Sequence, residues 1–472
     1  MFPPGPDVGK RPRILTDALW AVNVHGGLAA RATALAVLLL GCVAPAAQAV
    51  PTRGDLPVLV VMAAFPDRPL AHDRQYFAGL IERLVDYYAE VSAGRFRIAP
   101  HLGGPVVTLP SPRASYVQRP ATLARDAALA FTAAATDPGD VRALAEAQGL
   151  IVFFAGPGRE SHVQGGDPGD PWSNYAGLEP PVGRMHDATV IAEEEVPPFS
   201  PFGVLSHEFG HLLGLPELYA PGGATHEGIG VWGLMGQGTW LGRGEQPPHP
   251  EAWSKAKLGW IDVETVDHTT PRVTLPAVTR APRAIRIPVT PGNQQEYYLL
   301  ENRLREGADA KLPGDGLLVW HVDERVGGFR TAQQNPAHKL LHLVEADGRG
   351  DLDRGHAAGG NRGDAGDPWQ GPPAWRRRVG TVAVLLGALA LGAAVLRLGR
   401  PHAVWPVLMR VAAGVALLAG GGVLHRGPVC GPDTPGMAPY DGGPARVAIR
   451  NVSPAGPEMR FDVLVAPAGD AK

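Results

Sequence analysis

Cysteine is nearly absent. Cys42 and Cys430 are the two in 472 residues, and the first falls in a candidate export segment, so no disulfide framework is open to the chain. An excess of one charge is absent too. The formal net charge is −3 and the sequence pI is near 6.6, which excludes a global basic field for nucleic acid. Charged residues make up only 19%, too few for a long coiled coil, while 45% apolar residues are too many for a disordered chain. The 61 Gly and 48 Pro show no collagen-like period and point instead to many turns. At roughly 150 residues per domain there is room for about three domains.

The first 49 residues read as a signal peptide. Lys10, Arg11, Arg13 and Arg31 precede an apolar run from Ala32 to Val43, and Ala47-Gln48-Ala49 offers a small-x-small cleavage site. A membrane-anchoring helix is the alternative, disfavoured by Pro45. Leu39-Leu40-Gly41-Cys42 also resembles a lipoprotein cleavage box, which would lipidate Cys42. Two further apolar stretches, Val379 to Gly399 and Val404 to Leu424, are each long enough to cross a hydrocarbon core of about 30 Å. With Arg400-Pro401-His402 between them, residues 376–427 read as a transmembrane helical hairpin tethering the protein through 379–424. Its turn faces the cytoplasm, where Arg397 and Arg400 suit the positive-inside tendency, although Arg376 to Arg378 then lie on the wrong side. A Gly/Ala-rich loop or a buried helix pair is the alternative.

Elsewhere strand and helix periodicities mix through the first 220 residues, as in an α/β or α+β domain. Leu56 to Met62 is a buried-strand run, and Phe77, Leu80, Ile81, Leu84, Val85 and Tyr88 mark one face of a helix. Phe96 and Ile98 suggest a short strand. Ala121 to Ala135 is helical and ends at Asp137-Pro138-Gly139. Leu150 to Phe154 and Thr189 to Ala192 are strands. After Trp260 the pattern becomes β-rich. Runs at Ala284 to Val289, Tyr297 to Leu300, Leu317 to Val322 and Leu340 to Val344 are resumed by alternation at Met459, Phe461, Val463 and Val465. Two short segments echo one another, Gly166-Asp167-Pro168-Gly169-Asp170-Pro171-Trp172 and Gly363-Asp364-Ala365-Gly366-Asp367-Pro368-Trp369. They are plain turns or offer carboxylates to Ca²⁺.

The chemistry concentrates at His207-Glu208-Phe209-Gly210-His211. In a helix the two imidazoles at i and i+4 share a face and reach one metal, and Glu208 sits beside the open coordination position as general base. Ser200-Pro201 supplies a helix start, Val204, Leu205, Leu212 and Leu213 an apolar face, and Gly214 a left-handed end. The spacing His207-x-x-x-His211-x-x-Gly214-x-x-Glu217 is that of the extended metzincin pattern, with Glu217 as third zinc ligand. Met235, in Val231-Trp232-Gly233-Leu234-Met235-Gly236, lies where a Met-turn passes beneath the metal. His226, His249, His321 and His342 have no ligand-like spacing and read as surface or core residues. Trp232, Trp240, Trp253 and Trp260 read as core.

An ordered series of blocks makes the chain resemble the immune inhibitor A type of secreted bacterial zinc metallopeptidases. The blocks are Phe65-Pro66-Asp67; Asp86 through Gly94; His207 through Tyr219; Gly230 through Met235; Ala252 through Trp260; Tyr297 through Asn302; Leu312-Pro313-Gly314; Gly316 through Glu324; and Val344 through Gly348. The resemblance implies a zincin-type catalytic domain over 50–260. A β-rich domain follows over 261–375, interrupted by the hairpin and completed by 428–472. It implies Zn²⁺ on His207, His211 and Glu217, with Glu208 as base, Met235 as Met-turn, and candidate Ca²⁺ ligands at Asp347, Asp351, Asp364 and Asp367. It further implies protein or peptide substrates outside the cell or at its surface. In this family the third ligand is usually Asp, and Glu217 is one methylene longer. A membrane-tethered binding module that keeps the zinc fold without catalysis is the alternative, and a zinc hydrolase of non-peptide substrates a third reading.

Overall fold

The computed structural model describes residues 50–161, 166–220, 225–372 and 437–466. Residues 1–49, read above as a signal peptide, Cys42, Cys430 and the apolar pair at 379–424 read as a transmembrane hairpin lie outside them. Among the described residues no helix is long and apolar enough to cross a membrane.

The first half is a three-layer arrangement around one mixed sheet. Strands β1 (Gly54–Ala64), β2 (Phe96–His101), β4 (Gly149–Pro157), β5 (Asn174–Val182) and β6 (Met185–Glu194) run in the order β2-β1-β4-β6-β5, with the short β3 (Val107–Thr108) also pairing to β1. All pairings are parallel except β5 with β6. A parallel strand covered on both faces must be apolar throughout, and the unbroken Leu56 to Met62 run meets that requirement. Val58, Val60 and Met62 face helices α1 (Arg74–Val91) and α4 (Phe202–Leu212), while Leu59, Val61 and Ala63 face α2 (Pro120–Ala134). Asp73 caps α1, accepting from Tyr76 N at 3.1 Å. Asp137-Pro138-Gly139 ends one helix and opens another. Asp137 caps α3 (Pro138–Glu146), with Pro138 in its first turn, a boundary the Ala-rich pattern alone did not show.

Strand β5 was not read from the sequence. It carries Glu179-Pro180-Pro181, and proline is tolerated there because β5 is an edge strand.

The β-rich half holds two further sheets. Strands β7 (Asp262–Thr265), β9 (Arg283–Pro288), β10 (Glu296–Arg303), β11 (Gly316–Asp323) and β12 (Leu341–Leu343) form one in the order β12-β11-β10-β9-β7. Strands β8 (Thr270–Pro276), β13 (Val447–Arg450) and β14 (Glu458–Val465) form the other, so the C-terminal segment pairs directly with β8. The change of pattern after Trp260 is not a break in the core. One apolar cluster runs from Leu56, Tyr88 and Phe209 through Trp253 and Trp260 to Leu299, Trp320 and Leu343.

Ionic groups are buried in this seam. The Arg303 side chain is fully buried. It donates to Asp309 from Nε at 2.7 Å and from Nη2 at 2.5 Å, to Trp232 O at 3.1 Å and to His249 O at 3.3 Å. The charge of β10 thus holds the backbone of two loops from the first half, α5 (Ala252–Leu258) following the second of them. Removing one partner of such a pair strands a buried charge. Asp309→Ala is therefore expected to lower stability by about 3–5 kcal/mol, read as a shift in the denaturant midpoint. An unchanged midpoint would show that Arg303 is not a structural tie.

Candidate metal centre

Helix α4 is buried along its whole length, which is why its sequence is apolar around the histidines. Ser200 Oγ accepts from Phe202 N at 3.3 Å at its start. At its end Gly214 has φ of 93°, a left-handed conformation costly for any residue with a Cβ. Its N–H bonds His211 O at 2.9 Å and the next N–H bonds Gly210 O at 3.1 Å, so the chain reverses and returns Glu217 to the helix. The Glu217 backbone is fixed from the β-rich half, its N–H donating to Phe329 O at 2.9 Å.

Three donor groups converge there. The ligand atoms of His207, His211 and Glu217 lie within 4.8 Å of one another. Each Nε2 is 3.3 Å from a different Glu217 oxygen. That separation matches the edge of a tetrahedron of roughly 2.0–2.1 Å metal–ligand bonds, about 3.3 Å. The far sides of the rings are tied down. His207 Nδ1 is 3.0 Å from Leu234 O and 3.0 Å from Thr239 Oγ1, and His211 Nδ1 is 2.8 Å from Leu215 O. A carbonyl only accepts, so each Nδ1 carries the proton and each Nε2 keeps its lone pair toward Glu217. His211 Nε2 and Glu217 Oε2 are buried with no hydrogen-bond partner among the described residues. Burial opposes charge on Glu217, and protons on the two Nε2 atoms would hold its carboxyl well below the usual carboxylate range; a cation at the same point takes the place of those protons. The donor set therefore fits a divalent cation of zinc type.

Glu208 is buried beside this group, and its Oε2 accepts from Tyr175 N of β5 at 2.6 Å. Burial pushes its carboxyl above the ordinary value. Met235 is fully buried, and a Cβ built on Gly210 would fall 2.6 Å from its Sδ, so the thioether sits directly against the helix backbone between the two histidines. Met235 O also accepts from Leu218 N at 2.9 Å.

The four aspartates singled out for Ca²⁺ come together in a second group. Asp347, Asp351 and Asp364 place carboxylate oxygens within 4.8 Å of one another, and Asp347 and Asp367 do so with Glu345. Arg349 lies 3.2 Å from Asp364 and 3.3 Å from Asp347, and Arg354 pairs with Asp351. Asp367 Oδ2 accepts from Trp232 Nε1 at 2.8 Å, while its buried Oδ1 has no partner. Burial pushes this carboxyl up to about 7. The earlier echo of this segment is answered differently, since the Arg113 guanidinium pairs with both Asp167 and Asp170.

Several contributors had no signal in the sequence. Tyr175 acts through its backbone, Thr239 and Leu215 through oxygens on the histidines, and Phe329 lays its ring 4.8 Å from His211 and 5.6 Å from Tyr175. Tyr219 and Glu345 stood inside recognisable blocks without an assigned role. Tyr219 is nearly buried, its ring 6.1 Å from that of His207.

Comparison with known proteins bears on this region. Residues 179–262, from the end of β5 through α4 to β7, match the family described as "Immune inhibitor A peptidase M6, catalytic domain". The metal-centre segment is of the M6 peptidase type. The chain is also similar to the pre-pro-metalloprotease PrtV of Vibrio cholerae serotype O1, in strains M66-2 and ATCC 39315 / El Tor Inaba N16961, at 41% identity over 59 residues. That match covers 12% of this chain and 6% of each relative. The M6-type segment thus contains Glu208, both histidines, Glu217 and Met235, and it excludes the acidic group.

The packing of Met235 leaves no room at Gly210. Gly210→Ala is expected to cost about 1–3 kcal/mol through overpacking and to lower metal affinity, measured by thermal unfolding and by metal content after dialysis. Equal stability and equal metal content would remove the case for that contact.

Proposed function

We propose that the chain is a zinc-dependent endopeptidase acting on extracellular proteins, with His207, His211 and Glu217 as metal ligands, Glu208 as general base and Met235 as the Met-turn. The observation that carries this is the joint convergence of His207 Nε2, His211 Nε2, the Glu217 carboxylate and a backbone-anchored Glu208. The likeness to M6 peptidases over 179–262 supports it.

A zinc ion held there would supply Lewis acidity, lowering the pKa of water and polarising a carbonyl. Glu208 takes the proton of the attacking water and passes it to the leaving amine. Tyr175 N fixes one oxygen of that carboxylate. Burial of Glu208 raises its proton affinity, which suits a group that must first accept a proton and then return it. Among the described residues β5 is the edge of its sheet, so an extended substrate can add to it backbone to backbone and pass in front of Glu208. An inert zinc-fold module would give the anchored Glu208 no role.

Ca²⁺ at Asp347, Asp351, Asp364 and Asp367, with Glu345, belongs to the same proposal. The group adjoins the loop that leads to Met235. Val231 N donates to Arg362 O at 2.7 Å and Trp232 Nε1 to Asp367, so a cation there would stiffen the floor of the metal centre. Localisation outside the cell rests on the signal-type sequence of residues 1–49.

Two measurements follow. Glu208→Gln, loaded with zinc to the same content as the wild type, is expected to hydrolyse casein about 10²–10⁴-fold more slowly; unreduced hydrolysis would refute its role as base. Calcium at about a hundred times its Kd is expected to add about 2.7 kcal/mol of stability, and Asp347→Ala to abolish that gain. A melting temperature indifferent to calcium in the wild type would refute the second site.

A further inference from the structure

The β11–β12 connection reaches over the metal centre. Gly327-Gly328-Phe329-Arg330 turns tightly. Gly328 has φ of 102°, a Cβ there would fall 2.0 Å from Thr331 Oγ1, and Thr331 Oγ1 donates to Gly327 O at 2.9 Å. Phe329 is half-buried. Its carbonyl holds Glu217 N at 2.9 Å and its ring lies against His211 and Tyr175. The next residue, Arg330, is exposed, and no carboxylate pairs with it among the described residues. Other exposed arginines nearby in sequence do pair. Arg325 holds Glu296 and Asp323, and Arg349 holds Asp364. An exposed arginine with no carboxylate partner among the described residues therefore follows directly on the residue whose carbonyl fixes the Glu217 backbone.

We propose that Arg330 selects substrates by pairing with a carboxylate next to the scissile peptide bond. Guanidinium matches carboxylate in a two-point, charge-assisted geometry. With zinc bound, the cation's two charges would offset those of Glu208 and Glu217, leaving Arg330 to meet a carboxylate brought by the substrate. Zinc, Glu208 and β5 act on the peptide backbone, which every substrate shares. Arg330 is the element that distinguishes side chains. The carboxylate has two sources, an internal Asp or Glu side chain or the free C-terminus of a peptide. This inference rests on the peptidase reading and names its substrate class.

The test uses the full-length zinc-loaded protein and a peptide mixture with Asp, Glu, neutral or basic residues on either side of the cleaved bond, each made with a free and an amidated C-terminus. The wild type is expected to favour acidic peptides by about tenfold, the equivalent of about 1.4 kcal/mol. Arg330→Ala should lose that preference while cleaving neutral peptides at the wild-type rate, and Arg330→Glu should turn it toward Lys and Arg. Preference surviving amidation assigns the side-chain carboxylate; preference lost on amidation assigns the C-terminus. Anisotropy of labelled acidic and neutral peptides on Glu208→Gln, with and without Arg330→Ala, reads the same selection as binding. Identical profiles for all Arg330 variants, or a neutral-peptide rate that falls with the acidic one, would overturn the proposal. Cleavage of no peptide by the wild type would instead overturn the peptidase reading beneath it, and this proposal with it.

Discussion

Three buried groups aim their lone pairs at one point, and that arrangement is unfavourable unless a cation fills it. His211 Nε2 and Glu217 Oε2 have given up water without gaining a hydrogen-bond partner among the described residues. Each such group costs about 1–3 kcal/mol, more when charged. A fold that keeps them converged must be held by stronger constraints elsewhere or by the cation itself. The surrounding contacts read as the first of these. Leu234 O, Thr239 and Leu215 O fix the rings, Gly214 returns the chain, and Phe329 O fixes the Glu217 backbone. A cation bound there would then add to folding free energy rather than create the site from a disordered chain.

These constraints come from both halves of the chain. Phe329 lies between β11 and β12, and Arg303 of β10 reaches Trp232 O, three residues before Met235. Asp367 holds the other side of Trp232 through its indole N–H. The loop beneath the metal centre is gripped from two directions by side chains that follow it by some distance in sequence. A β-rich half contributing only bulk would not explain the buried charge at Arg303, because burying an ion pair is rarely the cheapest way to fill a core. Its value here is geometric, since a guanidinium with fixed donors can hold Asp309 and the carbonyls of Trp232 and His249 at once.

What could be read from the sequence follows from how local each signal is. The two histidines and Glu208 are set by one helical turn, and Gly214 to Glu217 by one reversal, so spacing alone placed them near a common point. The buried strands β1, β4, β6, β10 and β11 showed as apolar runs. Strand β5 did not, because an edge strand with two prolines has neither the run nor the alternation, although its Tyr175 N is the contact that orients Glu208. Phe329 was silent for a different reason. Its contribution is a backbone carbonyl and a ring brought in from more than a hundred residues away, and no local pattern encodes that. Asp364 and Asp367 drew attention through a repeated Gly/Asp motif, yet the first copy of the motif closes on Arg113. Composition of a turn therefore does not tell which partner its carboxylates meet.

The apolar insertion raises a question of chain closure rather than of site chemistry. The described chain stops at Pro372 and resumes at Met437. Gly371 N bonds Ser453 O at 2.8 Å, Tyr298 bonds Met437 O through its hydroxyl, and Met437 packs in the same apolar cluster as Trp369. Both ends are thus anchored on one core. The pairing of β14 with β8 and the bond from Gly371 to Ser453 therefore join segments far apart in sequence into one sheet and one core, and that core is complete among the described residues on either side of 373–436.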